Sequence, residues 1–136
     1  MITFLKIIGP PIGEAIKALE KLSINNPKVC IMDSFIVRDV PRSAAKGLPG
    51  TRLDVYKSFS AQRANFALRY FQASNIVVDQ ERCESIISDS GVELGEYDFY
   101  FEWFKEPSNE ELGEVLNKVD QIFFDLGCRY TVYHKK

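Results

Sequence analysis

"EYDFYFEWFKEPSNEELGEVLNKVDQIFFDLGCRYTVYH", residues 96–134, is the stretch whose reading decides the fold. Over 96–105, Tyr97, Phe99, Phe101 and Trp103 alternate with Asp98, Tyr100 and Glu102, the two-residue period of a strand. Pro107 breaks that pattern. Ser108 stands where an N-cap is needed, and Glu110 and Glu111 fall in a first turn, where the helix dipole favours carboxylates. Leu112, Val115, Leu116, Val119, Ile122 and Phe123 recur at helical spacing. Gly127 supplies a C-terminal stop, and residues 128–134 form a last strand.

The same phrase opens the chain. Residues 2–8 (ITFLKII) are β-branched and apolar and read as a strand. After Gly9-Pro10-Pro11, residues 12–23 fit a helix with Ile12, Ile16, Leu19 and Leu22 on one stripe and Glu14, Lys17, Glu20 and Lys21 mostly off it. Asn25-Asn26-Pro27 ends it, and residues 28–37 (KVCIMDSFIV) read as a second strand. Two strand–helix–strand units predict an α+β, ferredoxin-like arrangement: a four-stranded antiparallel sheet with helices on one face, strands one and three central.

Between the two units lies a middle segment, 38–95, too long for a plain connection. Residues 60–74 look helical, with Phe66, Ala67, Tyr70 and Phe71 inward; Ile76 to Val78 suggest a short strand and 79–89 another helix. Fewer than 60 residues without a disulfide or metal staple make a marginal domain. The expectation is therefore a single domain over 1–136 with 38–95 as an insertion packed on its core. Strands one and two are apolar on both sides, so both sheet faces should be covered, by the insertion or by a second copy of the chain.

Bulk composition narrows the function classes. The chain has 136 residues, 46 % hydrophobic and 26 % charged, with net charge −2. That is one ordinary globular domain. The first strand lacks the basic region of a signal peptide, and no apolar run is long enough to span a bilayer, so a soluble, cytoplasmic protein with no membrane partner is expected. Cys30, Cys83 and Cys128 are odd in number and lack a C-x-x-C spacing, which argues for free thiols over a disulfide framework or a zinc site. His134 is the lone histidine and sits near the chain end, a poor place for a general base.

Charge is unevenly spread. Between 38 and 69, seven basic residues face two carboxylates, a net +5; between 79 and 125, fourteen carboxylates face three basic residues, a net −11. The basic region opens with "RDVPRSAAKGLPGTR", residues 38–52. Gly47 and Gly50 permit positive φ and converging amides, Arg42 and Arg52 can clamp a phosphate or carboxylate, Lys46 adds a point charge, and Ser43 and Thr51 add hydroxyls. With Arg38 these form the candidate anion-binding set. The stretch matches neither a P-loop nor a dinucleotide-binding fingerprint. A solvated surface loop is the plain alternative.

Other chemistries have less support. Exposed aromatics on a central strand would suit RNA, but Asp98 and Glu102 share a face with Tyr100 and would repel phosphates, so nucleic acid is disfavoured. Residues 89–98 lack the spaced ligands of a calcium loop, and Asp33 with Asp39 is a bare magnesium possibility, so no metal and no cofactor is expected. Cys83 beside Arg82 is the best nucleophile candidate, though Glu81 and Glu84 oppose a lowered thiol pKa. Asp39 or Asp54 beside the arginines is a conceivable acid–base group, with no orienting partner to name. Three readings follow. The first is a non-catalytic binding or assembly protein that forms a homodimer and engages an acidic protein partner or small anionic ligand. The second is a small enzyme on a phosphorylated or carboxylated metabolite, and the third an RNA-binding accessory protein.

Overall fold

The computed structural model describes residues 1–39 and 63–136. Strand β1 (Ile2–Ile8) leads into helix α1 (Ile12–Ile24), then strand β2 (Val29–Asp33) and the short helix α2 (Ser34–Asp39). Helical residues 63–72 (α3) and the one-turn helix α4 (Gln80–Cys83) precede strand β3 (Phe99–Trp103), helix α5 (Asn109–Leu126) and strand β4 (Arg129–Lys135). The strands form one four-stranded sheet in the order β2-β3-β1-β4, every pair antiparallel. The class is α+β.

Helix α5 has the ends its sequence specifies. The Ser108 side chain accepts from the Glu111 N–H while the Glu111 carboxylate accepts from the Ser108 N–H. Gly127 closes the helix at φ +70°, its N–H turned back on the Phe124 carbonyl. Leu5, Ile7, Val29, Ile31, Phe99, Phe101 and Trp103 form the inner sheet face. Ala15, Ile16 and Leu19 of α1 and Val115, Val119 and Phe123 of α5 pack on it. Ile36, Ala67, Phe71, Val78, Cys83, Ile86 and Ile87 join the same cluster. Burial at about 25 cal/mol per Å² makes this contiguous apolar surface the main source of stability.

The middle of the chain departs from the sequence reading in three places. The second strand stops at Asp33 instead of continuing to 37, because Asp33 Oδ1 accepts the Phe35 and Ile36 N–H groups and starts α2. Residues 76–78 form no strand, and Val77 is 92 % exposed. The helix expected over 79–89 ends at Cys83, because Ile86 to Ser88 extend along the β2 edge. There the Ile31 N–H donates to the Ile86 carbonyl and the Ser88 N–H to the Ile31 carbonyl, each at 2.8 Å.

Arg82 locks that arrangement. Its guanidinium donates to the carbonyls of Ser23 (2.7 Å), Ile24 (3.2 Å), Asn26 (2.8 Å) and Val29 (2.6 Å), and to Ser85 Oγ (3.2 Å). One planar fork thus ties together carbonyls where α1 ends and β2 begins, some of which, as at Ser23 and Asn26, also accept a backbone N–H. The outer sheet face is covered in part by residues 88–97. Tyr100 donates to the Val92 carbonyl, Ser90 Oγ to Glu102, and Tyr97 packs on Phe4 with ring centroids 4.9 Å apart.

Candidate functional site

The polar feature that stands out is buried where β2 ends and the basic segment begins. Helix α1 brings Lys17 and Glu20 one turn apart, β2 delivers Asp33, and α3 delivers Tyr70. Glu20 and Asp33 are both 0 % exposed. Tyr70 donates to Glu20 Oε2 at 2.6 Å, and Lys17 Nζ lies 3.3 Å from Glu20 Oε1 and 3.1 Å from the Tyr70 hydroxyl. The same ammonium sits over the Tyr70 ring at 4.3 Å. Glu20 falls on the inward side of α1 beside Leu19 and Ser23, not off the apolar stripe as the helical pattern suggested.

Two neighbouring carboxyls enclosed away from solvent cannot both carry charge cheaply. Glu20 Oε1 is answered by the Lys17 ammonium, whereas Asp33 Oδ2 is buried with no hydrogen-bond partner among the described residues. A proton on the Asp33 carboxyl answers that oxygen. Consistently, the Asp33 carboxyl is pushed up to about 9, first by burial and then by its hydrogen bond to Glu20 and the charge there, with the Ile36 and Phe35 amides pulling weakly the other way. Burial and the neighbouring Glu20 charge thus favour the protonated form of Asp33. The Tyr70 hydroxyl is driven well above its usual range by burial and by the Asp33 and Glu20 carboxyls, so it stays a donor.

Beside this cluster lies an open depression of about 430 Å³ lined by Lys17, Asp39, Phe66, Arg69, Tyr70, Ala73 and Ser74. Phe66 and Tyr70, one helical turn apart, stack at 5.8 Å and give it an aromatic wall. Arg38 lies over the Phe35 ring at 5.1 Å and pairs with Asp39 at 3.6 Å. The enclosed carboxyls do not reach the depression themselves. They present Lys17 and Tyr70 to it in fixed positions.

Of the residues the sequence offered for anion binding, Arg38 falls at the root of this region. Arg42, Ser43, Lys46, Gly47, Gly50, Thr51 and Arg52 lie outside the described residues, as does Asp54. Asp33 with Asp39 does not make a magnesium site, because Asp33 is enclosed and its Oδ1 is taken by two amides. Among the described residues no group of three or more His, Cys, Asp or Glu side chains is placed to hold a metal ion. No helix among them is long and apolar enough to cross a membrane.

The cysteines are unpaired thiols. Cys83 is not an activated nucleophile: Arg82 turns away to the α1 and β2 carbonyls, and burial pushes the Cys83 thiol up, followed by Asp79 and Glu84. Cys30 is pushed up to about 12, chiefly by burial and then by Glu102. His134 Nδ1 pairs with Thr3 Oγ1 at 3.0 Å inside the sheet.

Sequence reasoning passed over Glu20, Asp33 and Tyr70 as a unit, although part of the signal was present. Asp33 shares the strand parity of Val29 and Ile31, so it had to point into the core. Nothing local in the sequence pairs it with Glu20 or Tyr70, which lie 13 and 37 residues away. Compared with known proteins, the chain matches no family model, no curated protein and no solved structure.

Proposed function

We infer that this chain is a non-catalytic binding and assembly protein whose ligand is anionic, held at the root of the basic 38–52 segment. One observation carries the reading: Lys17, Tyr70 and Arg69 line one aromatic-walled depression, with Asp39 at its margin and with Lys17 and Tyr70 held from behind by the buried Glu20 carboxylate. The frame is read as ferredoxin-like, supported by central β1 and β3, edge β2 and β4, and antiparallel pairing throughout. In this reading residues 38–95 are an insertion in a single domain, supported by Ala67, Phe71 and Ile86 joining the main core.

A thermal-shift screen with pyrophosphate, citrate and adenosine monophosphate, at low and high salt, tests it. One compound should raise Tm in a saturable way, and Arg69→Ala should reduce that shift at least roughly fivefold without lowering the unliganded Tm. A rise from every polyanion alike, abolished by salt, would instead indicate unspecific electrostatics. No shift from any of the three removes support for the small-ligand reading.

The assembly part rests on Phe124, which is 81 % exposed on α5 beside a depression lined by Phe123, Cys128 and Tyr130. If a second copy covers it, light scattering behind size exclusion gives a dimer for the wild type and a monomer for Phe124→Lys. Identical masses for the two proteins would sink this arm.

A further inference from the structure

The two edges of the sheet are treated differently. The β2 edge is closed by Ile86 to Ser88. At the other edge β4 pairs all seven of its residues with β1 and, among the described residues, with nothing on its far side. An open edge of that length presents a row of backbone donors and acceptors ready for another strand.

We propose that β4 accepts an extended acidic segment of a partner protein as a fifth strand. The register fixes the chemistry. Arg129, Thr131, Tyr133 and Lys135 stand opposite Ile8, Lys6, Phe4 and Ile2 and therefore share the outer sheet face. Tyr133 is 51 % exposed and stacked on Tyr97 at 6.1 Å, and Val132, 40 % exposed, faces the other side. Neither Arg129 nor Lys135 has a carboxylate partner among the described residues. The edge thus offers two cations six residues apart, about 20 Å along a strand, with an aromatic between them. The matching partner carries two carboxylates at that separation on one face, with apolar residues between.

A second copy of β4 fits poorly. Full-length twofold antiparallel pairing about Val132 sets Arg129 of one copy against Lys135 of the other at both ends, and like charges directly opposed are destabilising. A strand bearing carboxylates at those positions is favoured by the same geometry. This surface is separate from the depression at Lys17 and Tyr70, so failure of either proposal leaves the other standing.

The test selects from a random twelve-residue peptide library displayed on phage, with the immobilised full chain as bait and an Arg129→Glu/Lys135→Glu variant as counter-bait. The recovered peptides should carry two carboxylates six residues apart, with amide shifts on binding concentrated in Arg129–Lys135. They should bind the double variant at least about tenfold more weakly. An unchanged thermal melt keeps that loss interpretable, and Lys135→Glu alone serves if the double variant is unstable. Recovered peptides without that carboxylate pair, or binding indifferent to charge reversal, overturn the proposal. So do β4 amides already protected in a homodimer, or equal competition by a short oligonucleotide.

Discussion

Replacing Arg82 by alanine is expected to cost ~3 kcal/mol of stability, which for a domain of this size lowers Tm by about 9 °C. The guanidinium meets four backbone carbonyls and one hydroxyl, and the carbonyls span the last residues of α1, the turn after it and the first residue of β2. Removing it strips the Ile24 and Val29 carbonyls of their side-chain donor, leaves those of Ser23 and Asn26 with backbone donors alone, and unties the α4 end from the start of β2. Arg82→Lys should recover no more than about half of the loss, because one ammonium cannot span acceptors arranged around a planar fork. Urea melts of the three proteins measure this. Equal midpoints for wild type and Arg82→Ala would show that the contacts are surface decoration.

The second large effect is a pH dependence that one amide substitution removes. The Asp33 carboxyl is raised in the folded chain to about 9 from an ordinary 3.8. The folded state therefore holds a proton that the unfolded state releases as pH rises above about 4. Stability from this group is fully present below about pH 4 and is lost progressively as pH climbs toward 9, at up to about 1.4 kcal/mol per pH unit. The Asp33→Asn side chain keeps the oxygen that caps α2 and puts a permanent donor at the enclosed Oδ2 position. Asp33→Asn should thus gain on the wild type steadily between about pH 5 and pH 8, whatever other groups do to both curves. Parallel stability curves over that range would mean that Asp33 carries no proton there.

These two sites explain why the terminal units were easier to read than the middle. The strand and helix of residues 96–126 carry their own instructions: alternating aromatics, a breaking proline, a Ser108–Glu111 capping box and Gly127. Residues 28–37 carry conflicting ones. The run is apolar nearly throughout, so period alone could not show that Asp33 turns the strand into a helix. Residues 79–89 look helical locally, but the pairing of Ile86 to Ser88 with Ile31 is a tertiary preference that overrides propensity.

The candidate site was half visible. The basic run begins where β2 hands over to α2, and Arg38 lies there. The carboxyl pair behind it depends on α1, β2 and α3 meeting, with Tyr70 reaching Glu20 across 50 residues of sequence. A charged residue on a mostly polar helix side, such as Glu20, gives no local sign that it will be enclosed.

The most direct measurement of the central claim is a titration of the isotope-labelled chain with pyrophosphate, followed residue by residue by NMR at neutral pH and moderate salt. Saturable shifts are expected at Lys17, Arg69, Tyr70 and Ser74, lost in Arg69→Ala while the rest of the spectrum stays in place. Shifts that never saturate, or that spread over surface lysines remote from this depression, would contradict the claim.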